Sequence, residues 1–371
     1  VLDTILPTSD GSVHVIRPDG SEAPGFPVHT GPAIGMDPSY AANYLSDPTW
    51  GNSVIPRPHD PIFSTAAVGD LMHTGALDIV VGTSTGYTYA WDGLGRLLPG
   101  FPKLDGSPSD FGMSVPPPDT PYSFEPENIT GGSPVLAHLL PSASGCPQEH
   151  LTAVSCELDI VQVAGDNHIY AWRPDGSAVP GWPVSDLLPP GTVPAGEQQT
   201  HDSKIVPTPA VVDINGDGIP DLVVGLDDSI LGTGPAGAGV VTFLEAFDGR
   251  GTNAGGSVSG NPAMLTGYPA KIPGLIQGYG VAQDFVTQGV ESPVVYDTSN
   301  GPQAVVNANL FAQYRVDLAT GSVSNSPFVP ATINPAPSSS SCPTPNTLPP
   351  SNPGECTMVN FTTSASLGKL V

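Results

Sequence analysis

Positive charge is scarce in this sequence: Lys and Arg number 10 against 35 Asp and Glu, a formal charge of −25 on 371 residues. Nucleic acid and anionic membrane are therefore poor partners, and cations are favoured ones. No run of about eighteen apolar residues occurs, so nothing in the sequence reads as a membrane-spanning helix. Long stretches of Ala, Leu, Glu and Lys are also missing, which argues against a helical protein. G-x-S-x-G, H-E-x-x-H, P-loop and G-x-G-x-x-G motifs do not occur in the contexts their chemistry needs. The eight histidines are scattered among strand positions and connectors and read as surface or packing residues. The absence of a motif does not by itself exclude catalysis.

Cysteine is sparse too. The four cysteines form two close pairs, Cys146 with Cys156 and Cys342 with Cys356, each bracketing a polar or proline-rich stretch. Neither pair has the CxxC spacing of a zinc site, so local disulfides in an oxidising compartment are expected. Asn128-Ile129-Thr130 and Asn360-Phe361-Thr362 are sequons that place possible glycans on Asn128 and Asn360. The sequence begins at Val1 rather than Met, so a leader is expected to be either processed or outside it. Together these features predict a secreted or cell-surface protein.

What the chain has in abundance is glycine (44) and proline (45), without a collagen period. That composition predicts short strands and many turns. It also repeats itself. Val1–Val28, Ala76–Lys103 and Glu157–Val184 align, and a longer variant begins at Ile219. Each copy reads as an Asp, an apolar run such as Ile79-Val80-Val81, a Gly turn and an alternating strand such as Tyr87–Trp91. An Asp-Gly turn and Pro-Gly-Phe/Trp-Pro follow. The Tyr89/Trp91 and Tyr170/Trp172 pairs read as blade packing rather than a sugar platform. A further strand precedes the Asp at Thr65–Val68, Ser133–Leu136, Thr208–Val211 and Ser292–Val295. Each module is thus four-stranded and antiparallel.

Ser133 lies 68 residues after Thr65, Thr208 lies 75 after Ser133, and Ser292 lies 84 after Thr208. Ser364, in "TTSASLGKLV", falls a further 72 residues on and resembles another first strand. The expected fold is all-β: a β-propeller of five four-stranded antiparallel blades, residues 1–371 as one domain, with the C-terminal strand closing the N-terminal blade. The alternative is a fragment of a larger propeller. Closure has a physical motive, because a ring leaves no unpaired edge.

The module resembles the FG-GAP or VCBS type of repeat of integrin-like β-propellers, with "TPAVVDINGDGIPDLVVG" (Thr208–Gly225) the best match. The resemblance implies a calcium loop in which Asp213, Asn215, Asp217, the Ile219 carbonyl and Asp221 are ligands. Oxygen ligands two residues apart in a tight turn suit calcium, which takes six to eight of them. The same residues also build a metal-free Asx-turn. Other modules keep only parts of the loop: Asp70 and Asp78 survive with Met72 and Thr74 between them, Asp297 survives alone, and the third module substitutes the cysteine-bearing insertion. One calcium site with a structural role is therefore expected.

Long connectors follow the last strand of each module, at 29–63, 104–132, 185–206, 273–290 and 331–363. Connectors of that length are uncommon unless functional or disordered. In a propeller they emerge on the face opposite the metal loop. They carry Tyr40, Tyr44 and Trp50; Phe111, Tyr122 and Phe124; Tyr279 and Phe285, which suit a protein or glycan contact surface or a small second core. The expected function is a non-enzymatic extracellular propeller that contacts protein or carbohydrate, or forms part of a surface assembly. The alternative is a secreted propeller lyase or hydrolase with an axial active site.

Overall fold

The computed structural model describes residues 2–31, 59–72, 74–83, 86–104, 132–139, 157–164, 168–185, 197–199, 208–225, 230–232, 242–252, 261–272, 292–308 and 312–325. Among the described residues five antiparallel sheets of three or four strands follow one another along the chain, and there is a further two-stranded sheet. The first holds β1 (Thr4–Pro7), β2 (Ser12–Ile16) and β3 (Val28–His29), in that order. The second holds β4 (Ala67–Gly69), β5 (Asp78–Gly82), β6 (Tyr87–Trp91) and β7 (Lys103–Leu104). The third holds β8 (Val135–Ala137), β9 (Asp159–Ala164), β10 (His168–Trp172) and β11 (Val184–Ser185). A short β12 (Glu197–Gln199) follows. The fourth sheet is β13 (Ala210–Val212), β14 (Asp221–Gly225), β16 (Thr242–Phe247) and β17 (Ala270–Ile272), interrupted by β15 (Ile230–Gly232). The fifth is β18 (Val294–Thr298), β19 (Gly301–Ala308), β20 (Ala312–Asp317) and β21 (Ser322–Asn325). The molecule is a β-propeller, as the repeat predicts.

In each of these five sheets the strands lie side by side in chain order, with β15 falling in the chain between β14 and β16. The second strands are apolar at successive positions because they are covered on both faces by neighbouring sheets; β5, β9 and β14 are buried along their whole length. Val80, Val161, Val223 and Val305 hold one equivalent position, each opposite the first strand, with 0 to 1% of its surface exposed. Burying one such valine stabilises the fold by about 1.5–3 kcal/mol. Tyr89 stacks on Trp91 at 5.3 Å and Tyr170 on Trp172 at 5.8 Å, and both tyrosines are buried. These pairs are blade packing.

Pro-Gly-aromatic-Pro is a turn ahead of the last strand rather than a strand, and it is what joins one sheet to the next. Gly25, Gly100, Gly181 and Gly267 all have φ between 86° and 97°. A Cβ on them would stand 2.1 to 2.7 Å from the carbonyl oxygens of Leu94, Asp175, Arg250 and Thr320, each in the turn between strands three and four of the following sheet. Only glycine permits that backbone-to-backbone approach. The following aromatic adds a hydrogen bond where it can: Trp182 Nε1–H donates to Gly249 O at 3.1 Å, and Tyr268 O–H to Leu318 O at 2.8 Å. The fourth copy, Thr266-Gly267-Tyr268-Pro269, is hard to align by eye because it lies 16 residues beyond its own turn glycine, Gly251, instead of five.

A second lacing runs along the inner strands. Thr65 N–H donates to Ser133 Oγ (2.9 Å), Ser133 N–H to Thr208 Oγ1 (3.0 Å), and Thr208 N–H to Ser292 Oγ (2.8 Å). The hydroxyl residues that mark the repeat in sequence therefore touch one another directly. The strand at Ser364 lies outside the described residues.

Candidate functional site

The loop Asp213–Asp221 joins β13 to β14. Asp213 caps it from within: Oδ1 accepts the amides of Gly216 (2.8 Å) and Asp217 (3.2 Å), and Oδ2 accepts that of Gly218 (3.0 Å). Asn215 Oδ1 accepts the Asp217 amide and Asp217 Oδ1 accepts the Ile219 amide. Gly216 and Gly218, at φ 76° and 85°, supply the left-handed corners this winding needs. Asp217 Oδ2 is 2.8 Å from Arg250 Nη1, and Ile219 is buried.

Asp221 is fully buried at the start of β14. Its Oδ2 accepts the amides of Ile214 (2.9 Å) and Asn215 (3.3 Å), and its Oδ1 accepts that of Gly249 (3.2 Å). Burial pushes its pKa up to about 7, with the three amides opposing the shift and the Asp248 carboxylate adding to it. The same contact recurs where the loop is degenerate. Asp78 Oδ2 accepts the Leu71 amide at 2.9 Å, and Asp159 Oδ2 accepts the Leu139 amide at 3.0 Å. Burial raises Asp78 as well, helped by Asp70 and Asp92.

The donor chemistry of the loop fits a hard cation: three carboxylates, one amide oxygen and one carbonyl within nine residues. The orientation is that of a closed turn, with both oxygens of Asp213 and of Asp221 turned to backbone amides. Among the described residues no group of three or more His, Cys, Asp or Glu side chains converges as a metal site. A carboxylate oxygen that accepts an amide keeps a further lone pair, so the loop amides leave Asp213 and Asp217 able to take a cation, while Arg250 competes for it at Asp217 Oδ2.

On the first sheet a second cluster escaped the sequence reading. Ser12 and His29 are cross-strand partners, and Ser12 Oγ lies 3.1 Å from His29 Nδ1. His29 stacks on His59 at 4.7 Å, and His59 Nδ1 donates to Thr30 O at 2.6 Å. Gly31 N–H donates to Tyr89 Oη at 2.9 Å, joining the cluster to the second sheet. A groove of about 550 Å³ runs between the two sheets, lined by His29, Tyr89, Trp91 and Leu97 among others. The dyad has no local sequence signal, because 17 residues separate its members.

The remaining expected residues fall outside the described ones. They are the four cysteines, Asn128 and Asn360, and the connector aromatics Tyr40, Tyr44, Trp50, Phe111, Tyr122, Phe124, Tyr279 and Phe285. The described ends of the connectors are informative nevertheless. Thr30 N–H donates to Gly11 O and Ile62 N–H to Thr8 O, so the first connector leaves and returns over the turn between β1 and β2. Ser64 Oγ donates to Gly82 O, and Gln162 Nε2 to Gly132 O, in the same relation. In the fourth module β12, from a connector, pairs with β15, from the link between strands two and three.

No protein-family model and no curated protein matches the chain. Among solved structures, the chain is similar to BBS1N in its complex with ARL6DN (15% identity, TM-score 0.39), over 70% of this chain and 55% of that one. It is also similar to BamB from Moraxella catarrhalis (12%, 0.36; 88% and 73%). Bacillus licheniformis rhamnogalacturonan lyase PL11 follows (12%, 0.23; 85% and 41%). The chain spans about half the length of the BBS1N chain it matches.

Proposed function

We propose that the protein is an extracellular or cell-surface, non-enzymatic β-propeller of the FG-GAP/VCBS type. Its connector face binds a protein or carbohydrate partner, within a larger surface assembly. The observation that carries this reading is the pairing of β12 with β15, together with the Thr30–Gly11 and Ile62–Thr8 bonds. These bonds hold described ends of the connectors beside the links between strands two and three, at the opposite ends of the strands from the acidic turn between β13 and β14, which supports a contact face there. The test replaces residues 35–55 by a Gly-Ser linker and compares both proteins on a glycan array and in cross-linking to proteins of the native surface. Binding lost with an unchanged melting profile supports the reading. Equal binding by both proteins, or none by the unaltered one, removes it.

Calcium in the Asp213–Asp221 loop belongs to the same proposal as a structural ion. Its support is the donor set, and its test is a melt with calcium and with chelator, backed by elemental analysis. An unchanged melt with no calcium bound removes it.

The Ser12–His29 dyad, in which His29 lines the groove and Ser12 is buried behind it, favours a second reading as a hydrolase. A short-chain acyl ester turned over by the protein and not by Ser12→Ala would establish it; equal rates would end it.

A further inference from the structure

The dipeptide Asn-Gly occurs twice in the chain, at Asn215-Gly216 and at Asn300-Gly301. Such a step leaves the asparagine side chain open to attack by the backbone, because no Cβ on the following residue shields its nitrogen. Each copy lies in the link between the first and second strands of its sheet, β13 to β14 and β18 to β19. Both glycines have positive φ, 76° and 106°, and an added Cβ on either would meet nothing within 4 Å. Both asparagines are exposed. Residue type, backbone and space are therefore alike at the two steps, and what differs is how each is held.

At Asn215 both reacting groups are engaged. Its Oδ1 accepts the Asp217 amide at 2.9 Å, which fixes the carboxamide, and the Gly216 amide donates to Asp213 Oδ1 at 2.8 Å. Attack needs that nitrogen without its proton. Removing the proton here would set a nitrogen anion against the Asp213 carboxylate, and like charges so close repel.

At Asn300 one hydroxyl anchors the backbone on either side of the step and leaves the side chain alone. The Asn300 amide donates to Thr298 Oγ1 at 3.1 Å, and Thr298 Oγ1 donates to Gly301 O at 2.8 Å. The carboxamide of Asn300 has no partner among the described residues. Gly301 stands opposite Thr298 in the last pair of the β18–β19 ladder, at a hairpin tip where opening is least costly.

We propose that Asn300 is a site of spontaneous covalent modification, converting to aspartate and isoaspartate, and that the acidic turn protects Asn215 from the same reaction. The deprotonated Gly301 nitrogen attacks Asn300 Cγ. The new C–N bond closes a five-membered succinimide, and the side-chain nitrogen leaves as ammonia. Water then opens the ring: addition at Cγ gives aspartate in a normal chain, and addition at the main-chain carbonyl carbon gives isoaspartate, whose chain runs through Cγ. One water is taken up for one ammonia released, and no enzyme or oxidant takes part. Either product adds a carboxylate three residues from Asp297. Isoaspartate also lengthens the two-residue turn by one methylene, which parts Thr298 Oγ1 from Gly301 O.

The test uses the full chain, kept at about pH 8 with chelator so that no ion shields Asn215, and sampled over weeks. Peptide mapping by mass spectrometry should show the Asn300 peptide gaining one mass unit at least tenfold faster than the Asn215 peptide, with isoaspartate detected by enzymatic methylation. In urea, where only sequence remains, the two rates should come within about threefold of each other. An Asn300 that stays intact in the folded chain while the urea sample converts overturns the proposal. So do equal rates at the two steps in the folded chain, and so does an isoaspartate signal undiminished in Asn300→Gln.

Discussion

Gly20 and Gly251 offer a controlled measurement of what holds neighbouring sheets together. Both sit in the turn between strands three and four, at φ 82° and 71°. Alanine at either position incurs the left-handed backbone cost, about 1–2 kcal/mol. At Gly20 nothing more is involved, since an added Cβ has no neighbour within 4 Å. At Gly251 the Cβ would lie 2.3 Å from Gly181 O and 2.6 Å from its carbonyl carbon. Both are backbone atoms of the preceding sheet, so no side chain can swing away and the joint itself must part by about 1 Å, at an overpacking cost of about 1–3 kcal/mol. Gly251→Ala is therefore expected to lose about 2–5 kcal/mol against about 1–2 for Gly20→Ala. Urea unfolding followed by tryptophan fluorescence measures both, and hydrogen exchange should show the excess loss confined to the joint of the third and fourth sheets. If the two variants lose equal stability, the glycines serve only their own turns and the clamp has no energetic content.

Tyr268→Phe leaves the buried Leu318 carbonyl without its hydroxyl donor and should cost about 1–2 kcal/mol; denaturation showing no loss would mean that another donor replaces it. Asp221 binds its proton more tightly folded, up to about pH 7, than unfolded, where it titrates near 3.8. In chelator its contribution is therefore fully present below about pH 4 and is lost as pH rises through 7, by up to about 4 kcal/mol. Asp221→Asn should flatten that slope in urea midpoints taken from pH 4.5 to 8, and an unchanged slope would show that burial is not what raises this group.

The hairpin order, the buried second strands and the module boundaries were legible because each rests on local pattern: apolar runs flanked by glycine turns, and a hydroxyl before each first strand. The lacing of Thr65, Ser133, Thr208 and Ser292 was present as spacing but not as contact, since only the ring brings residues 68 to 84 apart side by side. The role of Gly25 and its relatives was hidden for the same reason. Glycine before an aromatic-Pro pair reads as a turn residue, and the carbonyl that forbids a side chain belongs to the next sheet. Ser12 and His29 were invisible because cross-strand pairing, not sequence proximity, joins them. The β12–β15 pair was missed because it forms between two segments that read as plain connectors.

The nine-residue acidic loop shows how one signal can merge two jobs. Its closing carboxylate recurs in modules that lack the rest: Asp78 and Asp159 hold the amides of Leu71 and Leu139 as Asp221 holds that of Ile214. A role shared by all three modules is a hairpin clamp and does not depend on an ion. Asp217, by contrast, has no counterpart in the other loops, and its second oxygen faces only Arg250. The two jobs should therefore separate by mutation. Asp217→Asn should abolish any rise in melting temperature on adding calcium while costing the chelated protein no more than about 1 kcal/mol, because Asn retains an oxygen for the Ile219 amide and loses only a partly exposed ion pair with Arg250. Asp221→Ala should destabilise the protein with or without calcium, by about 1–3 kcal/mol for the amides it leaves unpaired. Equal behaviour of the two variants would mean that the loop performs one job, and that the recurrence of the closing aspartate in the other sheets does not report on its role in this one.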